Sequence, residues 1–282
     1  MKGASSWARR AGPAAASLLA ILLGCRDRAA PPAQARVLAA RMQSGRFEAA
    51  GFAYPLPYRL FVPEGYDASR AYPLVLYLHG AGGRGTDGAS HLSSDVAALA
   101  SDRVQAIGPS FVLAPQCPDG DEWVNRHDQP PFSNYAQDRV PESDASKMTF
   151  EVLKLVGARY NVDARRLYVT GPSMGGSGTW DFITRHPHVF AAAVPVTGVN
   201  DPSRAPVIAE LPIWAFHGSR DEISSAANTR AMVDALRRLG SSVRFTELEG
   251  VGHDSWTQAY SNLEMYRWLF AQRRSEGGGA GH

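Results

Sequence analysis

The chain reads as an α/β protein, a mostly parallel central sheet with helices on both faces. Three observations predict this. Seven short apolar runs, each bounded by turn residues, follow one another from residue 58 to residue 248. Stretches with helical apolar spacing lie between them. Four of the runs end in glycine beside a histidine, a serine or an acid. Near-continuous apolar runs suit strands buried on both faces, and their alternation with helices implies parallel pairing.

Taken in order, the expected strands are 58–62, 74–78, 111–114, 167–170, 191–196, 213–216 and 243–248. Helical spacing is carried by Met148, Phe150, Val152, Leu153, Leu155 and Val156, then by Met232, Val233, Leu236 and Leu239 before Gly240. Trp256, Tyr260, Leu263, Tyr266, Trp268 and Leu269 close the domain, and all three stripes read as core. With 282 residues, 44% of them hydrophobic, the chain can bury a large core without disulfides or metals.

The first 25 residues have another character. Lys2, Arg9 and Arg10 precede an apolar stretch over 14–23 that ends in Leu22-Leu23-Gly24-Cys25. A basic start and a short apolar segment read as an export signal, and LLGC resembles a lipobox in which Cys25 becomes lipidated. That implies residence in the cell envelope, with a plain secretory signal as the alternative. Residues 26–50, rich in Ala, Arg, Pro and Gln, read as a flexible tether; 51–273 as the folded domain; and 274–282, ending in Gly-Gly-Gly-Ala-Gly-His, as a flexible tail. Cleavage before Cys25 takes the formal charge from +2 to −1, which gives no electrostatic case for nucleic acid as a partner.

Ligands of open parallel sheets bind beyond the C-terminal ends of the strands. Those ends carry His79-Gly80-Ala81-Gly82-Gly83, then Gly171-Pro172-Ser173-Met174-Gly175-Gly176, then His217-Gly218-Ser219-Arg220-Asp221, and last Glu249-Gly250-Val251-Gly252-His253. A serine hydroxyl is a weak nucleophile that needs a base within hydrogen-bond reach, and the base needs an acid to fix its tautomer. His253 can be that base. Gly171 and Gly175 flank Ser173, as a turn too tight for side chains requires. Oxyanion charge would be met by the Met174 N–H and by a second N–H from Ala81 or Gly82. Asp221, Glu222, Asp201 and Asp254 are the rival acids. His79 and His217 read as structural, and His91, His127, His186 and His188 as solvated.

The segments LVLYLHGAGGRGTD, FVLAPQCPDGDEWV, LYVTGPSMGGSGTWDFITRHP, PIWAFHGSRDEI and GVGHDSWTQAY, in this order, resemble the α/β-hydrolase superfamily over residues 52–272. The likeness is to polyhydroxybutyrate depolymerase/feruloyl-esterase-like hydrolases, and also to dienelactone-hydrolase and prolyl-oligopeptidase-like domains. It implies the α/β-hydrolase fold, with Ser173 as nucleophile, Asp221 as acid, His253 as base and an oxyanion role for the loop after His79. The implied activity is hydrolysis of small-molecule or polymer-linked carboxylic esters without a cofactor. A peptidase or amidase using the same triad is the second reading, and a non-catalytic binding protein on the same scaffold the third.

Residues 115–145 break the rhythm, and long irregular segments inside compact domains are usually functional or disordered. Trp123, Phe132 and Tyr135 argue against disorder, so the segment reads as a substrate-facing loop with these three lining the pocket. Asp119, Asp121, Glu122 and Asp128 lack the spacing of a calcium loop, and no Cys/His arrangement has zinc spacing. The glycines at 80–85 do not form a dinucleotide fingerprint.

Overall fold

The computed structural model describes residues 33–275. The expected export signal with Cys25, the start of the expected tether and the expected tail after residue 275 lie outside those residues.

All seven expected strands form, joined by an eighth. They are β1 (Gln43–Phe47), β2 (Leu56–Phe61), β3 (Tyr72–Tyr77), β4 (Phe111–Pro115), β5 (Val162–Pro172), β6 (Ala192–Val196), β7 (Trp214–Gly218) and β8 (Arg244–Leu248). The sheet order is β1-β2-β4-β3-β5-β6-β7-β8. Pairings of β1 with β2 and of β2 with β4 are antiparallel; all others are parallel. The helices are α1 (Ala33–Arg41), α2 (Ser94–Leu99), α3 (Asp102–Gln105), α4 (Asp144–Arg159), α5 (Met174–Arg185), α6 (Ala226–Arg238), α7 (Trp256–Ser261) and α8 (Leu263–Ala271).

Two apolar cores, one on each face, follow from the two-residue period of the strands. Leu74, Leu76 and Leu78 pack into one with Val152, Ile183 and Met232 from α4, α5 and α6. Val75 and Tyr77 turn to the other, with Val96, Tyr260 and Leu269 from α2, α7 and α8. The last helical stripe is two helices rather than one, and Leu155 and Leu239 of the other two stripes, expected in the core, are exposed. The side chain of Asn262 caps α8 by accepting from the N–H groups of Glu264 and Met265, so the chain re-enters a helix in a new direction.

The expected tether over 26–50 is corrected from residue 33 onward. Leu38 and Met42 are buried in the second core, and the Arg59 guanidinium donates to the carbonyls of Ala39 and Met42. β1 is an edge strand of polar sequence, QSGRF. The Tyr58 ring crosses the strand at Gly45, in space that a Cβ would occupy. The 115–145 segment is also less irregular than expected. Val124 bridges Glu142, and α4 starts at Asp144 with the Ser143 side chain accepting from the Ser146 N–H.

Candidate active site

Ser173 sits where β5 ends and α5 begins, with φ 56° and ψ −116°. A non-glycine residue in that region is strained by about 1–3 kcal/mol and persists only when its surroundings impose it. Here they do. The Ser173 N–H donates to the Val196 carbonyl at 3.0 Å, tying the turn to β6. On the other side the backbone of residue 78 presses in: a Cβ at Gly171 or Gly175 would run into the Leu78 carbonyl oxygen. The glycines are there because two strands and a helix meet with no room for side chains.

The Ser173 hydroxyl lies 2.8 Å from His253 Nε2. His253 stands in the loop after β8, and its Nδ1 lies 2.8 Å from Asp221 Oδ2. Asp221 follows β7 and is buried. Its Oδ1 accepts from the N–H groups of Ile223 and Ser224, each at 2.9 Å. Burial alone would raise this carboxyl, but hydrogen bonds from His217, His253 and the Ser224 N–H outweigh it and hold Asp221 well below the usual carboxylate range. The Trp256 ring stands perpendicular to that of His253, centroids 5.3 Å apart.

The rival acids are placed elsewhere. Glu222 and Asp254 are exposed. Asp201 is committed to structure: Oδ1 accepts from the Ser203 N–H and hydroxyl, and Oδ2 from the Gln137 N–H.

The loop after β3 reaches the serine. A Cβ built on Gly80 would lie 3.8 Å from that of Ser173, and the exposed Ala81 and Gly82 open the 3-10 turn Ala81–Gly83. The first N–H groups of a helix lack intrahelical partners, which leaves Met174 at the start of α5 and Ala81 and Gly82 in their turn as donors toward an oxyanion. His79 holds this loop from beneath. Its Nδ1 donates to the Gly80 carbonyl at 2.7 Å, while its Nε2 accepts from the Cys117 N–H at 2.9 Å. Desolvation lowers it to about 3, so it stays neutral.

Trp123, expected in the pocket, is a core residue instead. It is fully buried, and its indole N–H donates to the His79 carbonyl at 2.9 Å. Phe132 and Tyr135 are partly exposed and lie in a loop strapped across the strand ends. The Phe132 N–H donates to the Ile223 carbonyl at 2.7 Å, next to Asp221. The Tyr135 hydroxyl donates to Asp181 on α5 at 2.9 Å, and Asn134 and Asn228 bond to each other across the loop. The acids of the segment are engaged too: Glu122 pairs with Arg84 at 2.7 Å, Asp128 with Arg126, and Asp121 accepts from the Ala145 N–H.

Two groups at the site were not assigned a part in it from sequence: Trp256, read as core, and His217, read as structural. A histidine-glycine pair ending the strand before the acid was the available signal for His217. His91, expected to be solvated, is buried, with Nε2 donating to the Ala114 carbonyl at 3.0 Å.

The model of the Esterase family matches residues 53–261. Among curated proteins, a bifunctional acetylxylan esterase/xylanase of Neocallimastix patriciarum, XynS20E, is 29% identical over 73 residues, which is 26% of this chain and 11% of that protein. A thermostable esterase of known structure is 36% identical, with a TM-score of 0.75 over 84% of this chain and 64% of its own. A mutant feruloyl esterase module from Clostridium thermocellum, complexed with sinapinate, shares the fold at 16% identity, with a TM-score of 0.60 over 89% of this chain and 96% of that one. An acylaminoacyl peptidase shares it at 15% identity, with a TM-score of 0.60 over 85% and 43%.

Proposed function

The chain belongs to the Esterase family, and from that premise we propose that it is a serine hydrolase of carboxylic esters with Ser173, His253 and Asp221 as its triad. One observation carries the reading: the unbroken relay from Ser173 Oγ through both nitrogens of His253 to Asp221 Oδ2, with 2.8 Å at each step.

In this reading Ser173 Oγ attacks the ester carbonyl while His253 Nε2 takes its proton. Asp221, accepting from Nδ1–H, fixes the tautomer and stabilises the imidazolium. The tetrahedral oxyanion is met by the N–H of Met174 with that of Ala81 or Gly82. Collapse expels the alcohol, which leaves with the proton from His253, and Ser173 stays acylated. Water, deprotonated by the same His253, then releases the acid and restores the serine. The strain at Ser173 keeps the hydroxyl raised over the strand ends.

The substrate is a small-molecule or polymer-linked ester. The thermostable esterase supports ester over amide chemistry, while the likeness to the acylaminoacyl peptidase keeps peptide hydrolysis as the second reading. A fluorophosphonate should label the wild type and not Ser173→Ala, and p-nitrophenyl esters should turn over faster than peptide anilides. A folded, unlabelled wild type would sink the hydrolase reading, and faster anilide cleavage would reverse the order of substrates. The lipid anchor at Cys25 rests on the Leu-Leu-Gly-Cys sequence. Labelled palmitate should enter the full-length chain and not Cys25→Ala; equal incorporation would remove the anchor.

A further inference from the structure

Asp221 has a second imidazole. We infer that His217 is a positioning residue for this reaction, holding the carboxylate of Asp221 and its backbone turn in place and so setting how strongly His253 acts as a base. The inference rests on the triad proposed above.

His217 ends β7 and has no exposed surface. Its Nε2 faces two acceptors, the Ser224 carbonyl at 2.6 Å and Asp221 Oδ2 at 3.2 Å, so this nitrogen carries the hydrogen. Its Nδ1 lies 2.7 Å from Thr229 Oγ1 on α6, whose hydroxyl can donate to it. The ring is thereby fixed on three sides.

Packing alone does not call for this residue, because an apolar side chain of similar volume would fill the space without the desolvation cost of a buried imidazole. What the imidazole adds is an N–H that donates to the Ser224 carbonyl and also lies close to the acid. Beside the ring the carboxylate of Asp221 is held closely: Oδ1 accepts from the N–H groups of Ile223 and Ser224, and Oδ2 faces His253 Nδ1 at 2.8 Å with His217 Nε2 3.2 Å away. The Ser224 carbonyl that accepts from His217 belongs to the turn whose N–H groups hold Oδ1. One ring therefore braces both the carboxylate and its backbone cradle.

The charged groups around His217 are few. Asp221 faces it directly and His253 lies beyond that carboxylate. Glu247, its register partner on β8, is paired through both oxygens with Arg230 of α6 at 2.6 and 2.9 Å. Glu247 is thus paired, while Asp221 approaches the His217 ring directly.

The His217 N–H, its nitrogen 3.2 Å from Oδ2, favours charge on the oxygen that His253 also uses. Removing it leaves a more basic carboxylate, a stronger hold on the His253 N–H, and an imidazole that is protonated more readily. Two variants separate this from a packing role. His217→Leu fills the space without a donor; His217→Gln places an amide N–H near the position of Nε2. On p-nitrophenyl acetate, His217→Leu should lower kcat about tenfold, the order expected for losing a hydrogen bond to a charged group, with KM within about twofold. The acid limb of its kcat/KM profile should move upward. His217→Gln should recover most of kcat and return the limb toward the wild type.

Folded variants with wild-type kcat and an unmoved acid limb would overturn the role of His217. So would a loss of kcat in His217→Leu that leaves the limb in place, which would indicate packing alone. If His217→Leu does not fold, His217→Gln against Thr229→Val decides, since Thr229→Val removes the donor to Nδ1 and should move the same limb. Failure of the triad itself would show separately, as turnover retained by Ser173→Ala.

Discussion

Asp221 and Asp201 both follow strands on the side of the sheet where Ser173 is raised, both are buried, and both accept several hydrogen bonds. Their partners separate them. Asp221 spends one oxygen on a histidine that touches Ser173; Asp201 spends both on backbone and a neighbouring serine, which makes it the cap of the 3-10 segment Pro202–Ile208. The triad reading therefore expects opposite signatures. Asp221→Asn should lower kcat by about 10³–10⁴, because an amide offers His253 the wrong hydrogen-bonding partner and favours the wrong tautomer. Asp201→Ala should leave kcat within about twofold and cost about 1–2 kcal/mol of stability through the lost cap. Steady-state kinetics beside urea unfolding checks both, and the reverse pattern would move the acid to Asp201.

At the scale of elements, legibility followed from how much of each signal was local. β2 to β8 could be read from apolar residues bounded by turns, near-continuous in β3, β4, β6 and β7 and interrupted in β2 and β8. The candidate residues Ser173, Asp221 and His253 could be read because each falls within a few residues of such a strand end. β1 could not. As an edge strand it presents polar residues, and its pairing depends on a ring, Tyr58, from another strand. α1 reads as tether from sequence because, among the described side chains, its contact with the core is carried by Leu38 and the partly buried Ala39, joined by Met42 just past its end, too little to stand out among alanines and arginines. Trp123 was misplaced for a different reason. An aromatic in a polar stretch looks the same from sequence whether it lines a pocket or fills a core, and what decides it is the His79 carbonyl, 44 residues away, that meets its N–H. The histidine-glycine pair four residues before Asp221 marks His217 in the sequence, but the orientation of its ring also depends on Thr229, a residue of the next helix, which no local spacing reveals.

For the whole molecule, the loop beneath the site makes stability depend on pH. His79 and His91 are buried with ring centroids 5.9 Å apart, and burial lowers them to about 3 and about 4. An unfolded histidine titrates near 6.5. Between those values the unfolded chain takes up protons that the folded chain refuses, so stability is full above about pH 6.5 and falls as the pH drops toward the folded values. By pH 5 each histidine should have cost about 2 kcal/mol. Asp95, raised by burial, works in the opposite sense as its carboxyl protonates, so the two histidines are best tested by removing one. His91→Gln keeps a donor for the Ala114 carbonyl and takes away the titrating ring. Urea unfolding at pH 7.5 and pH 5 should show the wild type losing about 2 kcal/mol more than this variant between the two. Equal losses would mean that His91 does not resist protonation in the fold. On the triad reading, the acid side of a kinetic profile would combine two processes, protonation of the base beside Ser173 and weakening of the layer that holds the loop after His79, and a variant such as His91→Gln pulls them apart.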